Sequence, residues 1–150
     1  MPGATLRSTF AASLAALTLA TVGVGTAHAD QPPRMYSARN DLQQAVGALQ
    51  AALDDKGGHR VTAINLAQQA IDQVNLGIQF AGGPPDGDFA PPPPPPVGPA
   101  MNNADAWLQM AVGELQAAED NKGGHRVSAL NLAQQAIDEV NQGIQAGGPF

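Results

Sequence analysis

The stretch Lys56-Gly57-Gly58-His59-Arg60 returns unchanged as Lys122-Gly123-Gly124-His125-Arg126. Around it, Leu42–Gln79 overlays Leu108–Gln145 without a gap, with 30 identities in 38 positions. A repeat of this length marks one structural unit written twice. On either side of the pentapeptide the apolar residues recur at helical spacing, and the two glycines supply the break between helices. Gly is the usual residue just past a helix end, because it has no Cβ to clash in the left-handed conformation. Each copy is therefore expected to be a helical hairpin.

In the first copy, Leu42, Ala45, Val46, Leu49, Ala52 and Leu53 form one face of a helix expected from about Ser37 or Ala38 to Asp54. Ser37 is the candidate N-cap. The second helix, about His59 to Gln79, carries two lines. Val61, Ile64, Ala67, Ile71, Val74 and Ile78 make a seam of larger residues. Ala63, Ala70 and Gly77 make a line of small ones that admits close approach of another helix. The second copy repeats this pattern, with Asn102 or Asn103 as the expected cap of its first helix.

The expected division is a signal peptide at 1–29, a leader at 30–36, hairpin repeats at 37–79 and 103–146, a Pro/Gly-rich linker at 80–102 and a tail at 147–150. The six prolines Pro91–Pro96 read as a polyproline II spacer. A single hairpin buries too little surface to stand alone. The fold class expected is all-α: two tandem α-helical hairpins forming a four-helix arrangement, closed within the chain or, second, between chains.

The N-terminus holds Arg7, an uncharged run from Phe10 to Gly25, and Ala27-His28-Ala29. A basic start, a short apolar centre and an A-x-A ending describe a secretory signal peptide cleaved after Ala29. The apolar run is shorter and more diluted than a membrane anchor requires. The expected location is periplasmic or secreted, with no stable membrane insertion after cleavage.

The chain has no cysteine and a net charge of −6, one unit more negative once Arg7 is removed. No disulfide can staple it. Acidity argues against nucleic acid, whose partners need basic surface, and against anionic membranes. A protein partner or self-association remains.

Two ligand chemistries are candidates. The loop residues Lys56, Gly57, Gly58, His59 and Arg60, with Lys122, Gly123, Gly124, His125 and Arg126, place cations around a glycine turn at a helix N-terminus, where free N–H groups favour an anion. Against this stands the reading in which the glycines only make the turn, His59 packs over it, and Arg60 pairs with Asp54, Asp55 or a neighbour. Second, His59 and His125 are candidate metal ligands, if a pseudo-twofold bundle sets both loops at one end. Two histidines without cysteine fall short of a closed zinc set. No nucleophile–base constellation is legible, so the expectation is a non-enzyme with no cofactor. Tyr36, Phe80, Phe89, Trp107 and Phe150 lie at edges or in linkers, with Trp107 read as a core lid.

The Lys-Gly-Gly-His-Arg hairpin, with Ala, Ile/Leu, Ala, Ile and Val at helical spacing and a closing Gly-Ile, resembles a family of small exported bacterial helical-repeat proteins without assigned activity. The likeness covers Leu42–Gln79 and Leu108–Gln145. More distantly, the duplicated helix–Gly-His–helix unit is similar to the periplasmic small metal-binding protein family. That family carries histidine along its helices, where this chain has Gln, Asn and Ala. The second resemblance thus implies metal binding at His59 and His125 only. The function expected is a structural or partner-binding role, with metal or anion binding through the two loops as the alternative.

Overall fold

The computed structural model describes residues 33–53, 57–84, 98–119 and 122–147. They form helices α1 (Pro33–Ala51), α2 (His59–Phe80), α3 (Ala100–Ala117) and α4 (His125–Ala146), with a short 3-10 turn, Lys122–Gly124, leading into α4. The segment 1–29 expected to be a signal peptide, the first residues of the expected leader, the proline tract and Asp54–Lys56 lie outside the described residues.

Two helices start earlier than their candidate caps suggested. Pro33 opens α1, since a proline there has no N–H to waste and a φ suited to the first turn. Ser37 is consequently inside the helix, and the stretch Pro33–Tyr36, expected in the leader, is helical. Tyr36, expected at an edge, is fully buried, and its hydroxyl donates to the Pro84 carbonyl at 2.7 Å. That bond ties the start of α1 to the chain just past α2. Gly83 is required beside it: a Cβ there would lie 2.6 Å from the Tyr36 hydroxyl. The second copy behaves alike at its start. Pro99 precedes α3, and Asn103, within the first turn, donates its side-chain amide back to the Gly98 carbonyl at 2.9 Å.

At its other end α2 closes in a Schellman motif. Gly82 takes a positive φ of 75°, its N–H reaches the Gln79 carbonyl, and the Gly83 N–H reaches that of Ile78, each at 2.9 Å.

Within each hairpin the helices run antiparallel, yet the most extensive packing is between hairpins, α1 on α3 and α2 on α4. Arg34 at the start of α1 pairs with Glu114 near the end of α3. His59 at the start of α2 meets Glu139 in the far half of α4, and His125 at the start of α4 meets Gln73 of α2. These last two pairs exchange when each residue is replaced by its counterpart in the other copy. The molecule therefore has a pseudo-twofold axis crossing the bundle, and its helices are ordered α1-α2-α4-α3 around the core. The four-helix expectation, closed within one chain, holds.

Each second helix buries its small line together with part of the larger seam, Ala67, Val74 and Ile78 of α2 and Ala133 and Val140 of α4. The contact lines are Ala63, Ala67, Ala70, Val74 and Gly77 of α2, and Ala129, Ala133, Ala136, Val140 and Gly143 of α4. They follow the alternating three- and four-residue spacing of near-antiparallel packed helices. Of the larger seam, Val61 and Val127 are exposed and Ile64, Leu130, Ile71 and Ile137 are half-buried, packed on the core from its rim. The reason is steric: alanine and glycine allow the axes to approach, and bulk is pushed to the flanks. Leu53, expected on the stripe of the first helix, falls beyond the end of α1 and is 99% exposed. Leu42, Ala45 and Leu49, with Leu108, Ala111 and Leu115, are buried as their spacing implies.

The fold also constrains the linker. Pro84 sits at the end where α1 begins, and Gly98 precedes α3, whose start lies at the opposite end. The intervening chain must bridge roughly 30 Å, the length of α1 at 1.5 Å per residue. In polyproline II the 14 steps from Pro84 to Gly98 reach about 43 Å. That reach is sufficient for the docking in which the two hairpins set their loops at opposite ends.

An enlarged side chain on the small line should be costly. Ala67→Leu or Ala133→Leu is expected to lose about 1–3 kcal/mol in urea denaturation through overpacking. Val61→Ala, on the flank, should stay within about 0.5 kcal/mol of the parent.

Candidate functional site

The two loops are built alike. Gly57 and Gly58 have φ of 72° and 90°, Gly123 and Gly124 of 68° and 92°. Both positions of each pair need the left-handed region, where a Cβ is penalised. Gly58 and Gly124 stand at the N-caps of α2 and α4, which lack a side-chain cap. The hydroxyls one turn in, of Thr62 and its counterpart Ser128, donate back to the Gly58 and Gly124 carbonyls at 3.1 and 3.2 Å. The exchange of Thr for Ser between copies keeps that bond.

The arginines hold the preceding helix. Arg126 Nη1 donates to the Leu115 carbonyl at 3.0 Å, and Arg60 Nη1 reaches the Leu49 carbonyl at 3.5 Å. Both carbonyls belong to the last turn, where acceptors are left over and the helix dipole is negative. Each guanidinium thus bridges the two helices of its own hairpin, a neighbour that the sequence reading left unnamed.

The histidines connect the hairpins. With the proton on Nδ1, His59 donates to a Glu139 carboxylate oxygen at 2.8 Å, and His125 donates to the Gln73 amide oxygen at 3.0 Å. Glu139 is the counterpart of Gln73, so one site carries an acidic acceptor and the other a neutral one. At the start of α2 a carboxylate therefore does sit where an anion was expected, and it comes from the chain itself.

Residues from different loops do not come together. Because α2 and α4 are antiparallel, the loops lie at opposite ends of the bundle, with roughly 20 Å of α4 between His125 and the residue that meets His59. The shared-end arrangement on which paired imidazole ligation depended is not the one the chain adopts. Among the described residues there is no group of three or more His, Cys, Asp or Glu side chains able to hold a metal ion. Lys56 lies outside the described residues, and Lys122 opens the turn before α4.

One charge is buried that helical periodicity does not mark. Asp41 is 4% exposed on α1, the only buried charged or polar residue among those described. Burial, and second the Glu114 carboxylate, push its pKa up to about 6. Glu114 is itself held by Arg34 at 2.9 Å. Asp41 lies one residue before the repeat begins to align, and its counterpart in the second copy is Trp107. That sharp change was the available signal. Burial also raises the pKa of Asp105, which accepts a 2.6 Å bond from Gln109. Trp107, 1% exposed, is core, as its lid reading implied.

No helix among the described residues is long and apolar enough to cross a membrane.

Two measurements probe these features. Gly124→Ala should cost about 1–2 kcal/mol, the penalty of a left-handed L-residue. Gly113→Ala, mid-helix with nothing within 4 Å of the added Cβ, should gain about 1 kcal/mol by the same denaturation assay. For Asp41 the folded pKa exceeds the unfolded value. Its contribution is thus fully present below about pH 4 and lost as pH rises through about 6, on the order of 3 kcal/mol at 1.36 per unit. Asp41→Asn should remove that downward slope in stability between pH 4 and 7. Comparison of the chain with protein families, with curated proteins and with solved structures finds no match.

Proposed function

We propose that this is an exported, non-enzymatic helical-repeat protein with a structural or partner-binding role. The observation that carries the reading is the use made of the two Gly-Gly-His-Arg loops. Their glycines make the turns, their arginines reach the preceding helix ends, and their histidines bind across to the other hairpin. Each of these groups serves the bundle, and the loops stand at opposite ends rather than around a common site. Export rests on the signal-peptide pattern that ends at Ala29. A bundle so built offers its outer faces for binding.

The reading is tested by thermal melts of Asp30–Phe150 with chelator, then with copper, zinc, nickel, phosphate and sulfate in turn. The expected outcome is an unchanged melting point across the panel, with a lowered one in His59→Ala/His125→Ala. An ion bound only by the folded state would add about 2.7 kcal/mol at a hundred times its dissociation constant. Such a shift, lost in the double variant, would replace this reading with the ligand-binding one.

A further inference from the structure

The pseudo-twofold axis raises a question of recognition. Two hairpins this similar present nearly the same surface, so each could pair with its own kind in a second chain. The His contacts do not decide the matter. Two exchanged unlike pairs contain the same number of His–Glu and His–Gln contacts as one first–first plus one second–second pair.

The α1·α3 seam does decide it. Arg34 and Asp41 lie two turns apart on one face of α1, and Glu114 and Trp107 two turns apart on one face of α3. With these helices antiparallel, the 2.9 Å ion pair of Arg34 and Glu114 sets Asp41 level with Trp107. Both are buried, and both are flanked by small residues, Ala38 and Ala45 on α1 and Ala104 and Ala111 on α3. Asp41 and Trp107 are counterparts in the repeat, so they meet at the axis. A first–first pairing would bury two Asp41 carboxylates against each other, and like charges in a desolvated seam repel strongly. A second–second pairing would set two Trp107 indoles in the space of one. The ion pair discriminates as well. The counterpart of Arg34 is Ala100 and that of Glu114 is Ala48, so like pairing leaves both charges facing alanine.

We propose that this seam is a hairpin-recognition surface that accepts only the unlike hairpin, and that its partner between molecules is the second hairpin of another copy of this chain. Specificity arises by rejection of like pairs as much as by attraction of unlike ones. The covalent tie between the hairpins is a connection that has to run the length of the bundle. When that connection is too short to close within one chain, the same surface closes between two. This goes beyond the binding role proposed above and stands whether or not the loops take an ion.

Two experiments on the full mature chain test it. First, Asp41→Trp, Trp107→Asp and the exchange of both are compared by thermal melting. Each single change is expected to melt at least roughly 5 °C below the parent, and the exchange to recover at least half of the larger loss. An exchange no more stable than the weaker single variant would show that the two positions do not face each other. Second, residues 86–97 are removed, leaving too little chain to bridge the bundle. Light scattering should then give a dimer or larger assembly, with the helical circular dichroism retained. Arg34→Glu should weaken that assembly several-fold, and Glu114→Arg added to it should restore it. A shortened chain that stays monomeric, loses its helices, or assembles indifferently to these charge reversals would overturn the proposal.

Discussion

The packing of two alanine-lined helices, α2 against α4, is the contact around which the structure is arranged. Ala63, Ala67 and Ala70 on one side and Ala129, Ala133 and Ala136 on the other leave no side chain long enough to hold the axes apart. Close approach of these helices sends Ile64, Ile71 and Ile137 to the flanks. It also brings the start of each helix within reach of the far half of its partner. The His59–Glu139 and His125–Gln73 contacts are consequences of that approach. So is the separation of the two glycine loops to opposite ends.

The loop that looked most like a binding motif is thus explained by folding. Gly-Gly is needed because two successive residues have positive φ. Arg is needed because the last turn of the preceding helix has carbonyls without intrahelical donors. His is suited because an imidazole donor can reach across to a side-chain oxygen of the neighbouring hairpin. A motif conspicuous by its repetition is as readily a device for building one unit twice as a site for a ligand.

Duplication leaves a problem of its own, since two like halves can pair in more than one way. The copies are nearly identical along α2 and α4, where close packing permits little change. They diverge on the seam of α1 and α3, where a buried Asp41 is the counterpart of a buried Trp107 and Arg34 pairs with Glu114 while the counterparts of these two ions are alanines. A buried carboxylate is unfavourable by itself, and Asp41 shows it in a pKa pushed up to about 6. Conformational specificity is the one return for that unfavourable burial that the geometry identifies.

The sequence by itself determined the helices, the hairpin pairing and the double-glycine turns. These follow from local rules: apolar spacing, the conformational freedom of glycine, and the missing donor of proline. It also singled out the first-helix core positions Leu42, Ala45 and Leu49, because their stripe is narrow and unambiguous. Helix starts were read late, since Ser37 and Asn103 are good caps locally but Pro33 and Pro99 set the first turns. Only the tertiary structure decided which members of the two apolar lines on α2 and α4 are fully buried and which stay at the rim. Periodicity favours the larger residues, whereas the distance between axes favours the smaller. It likewise decided that the loops lie apart and that His59 and His125 reach across to Glu139 and Gln73. Each of these depends on how one hairpin is oriented on the other, and no spacing within a single helix carries that information.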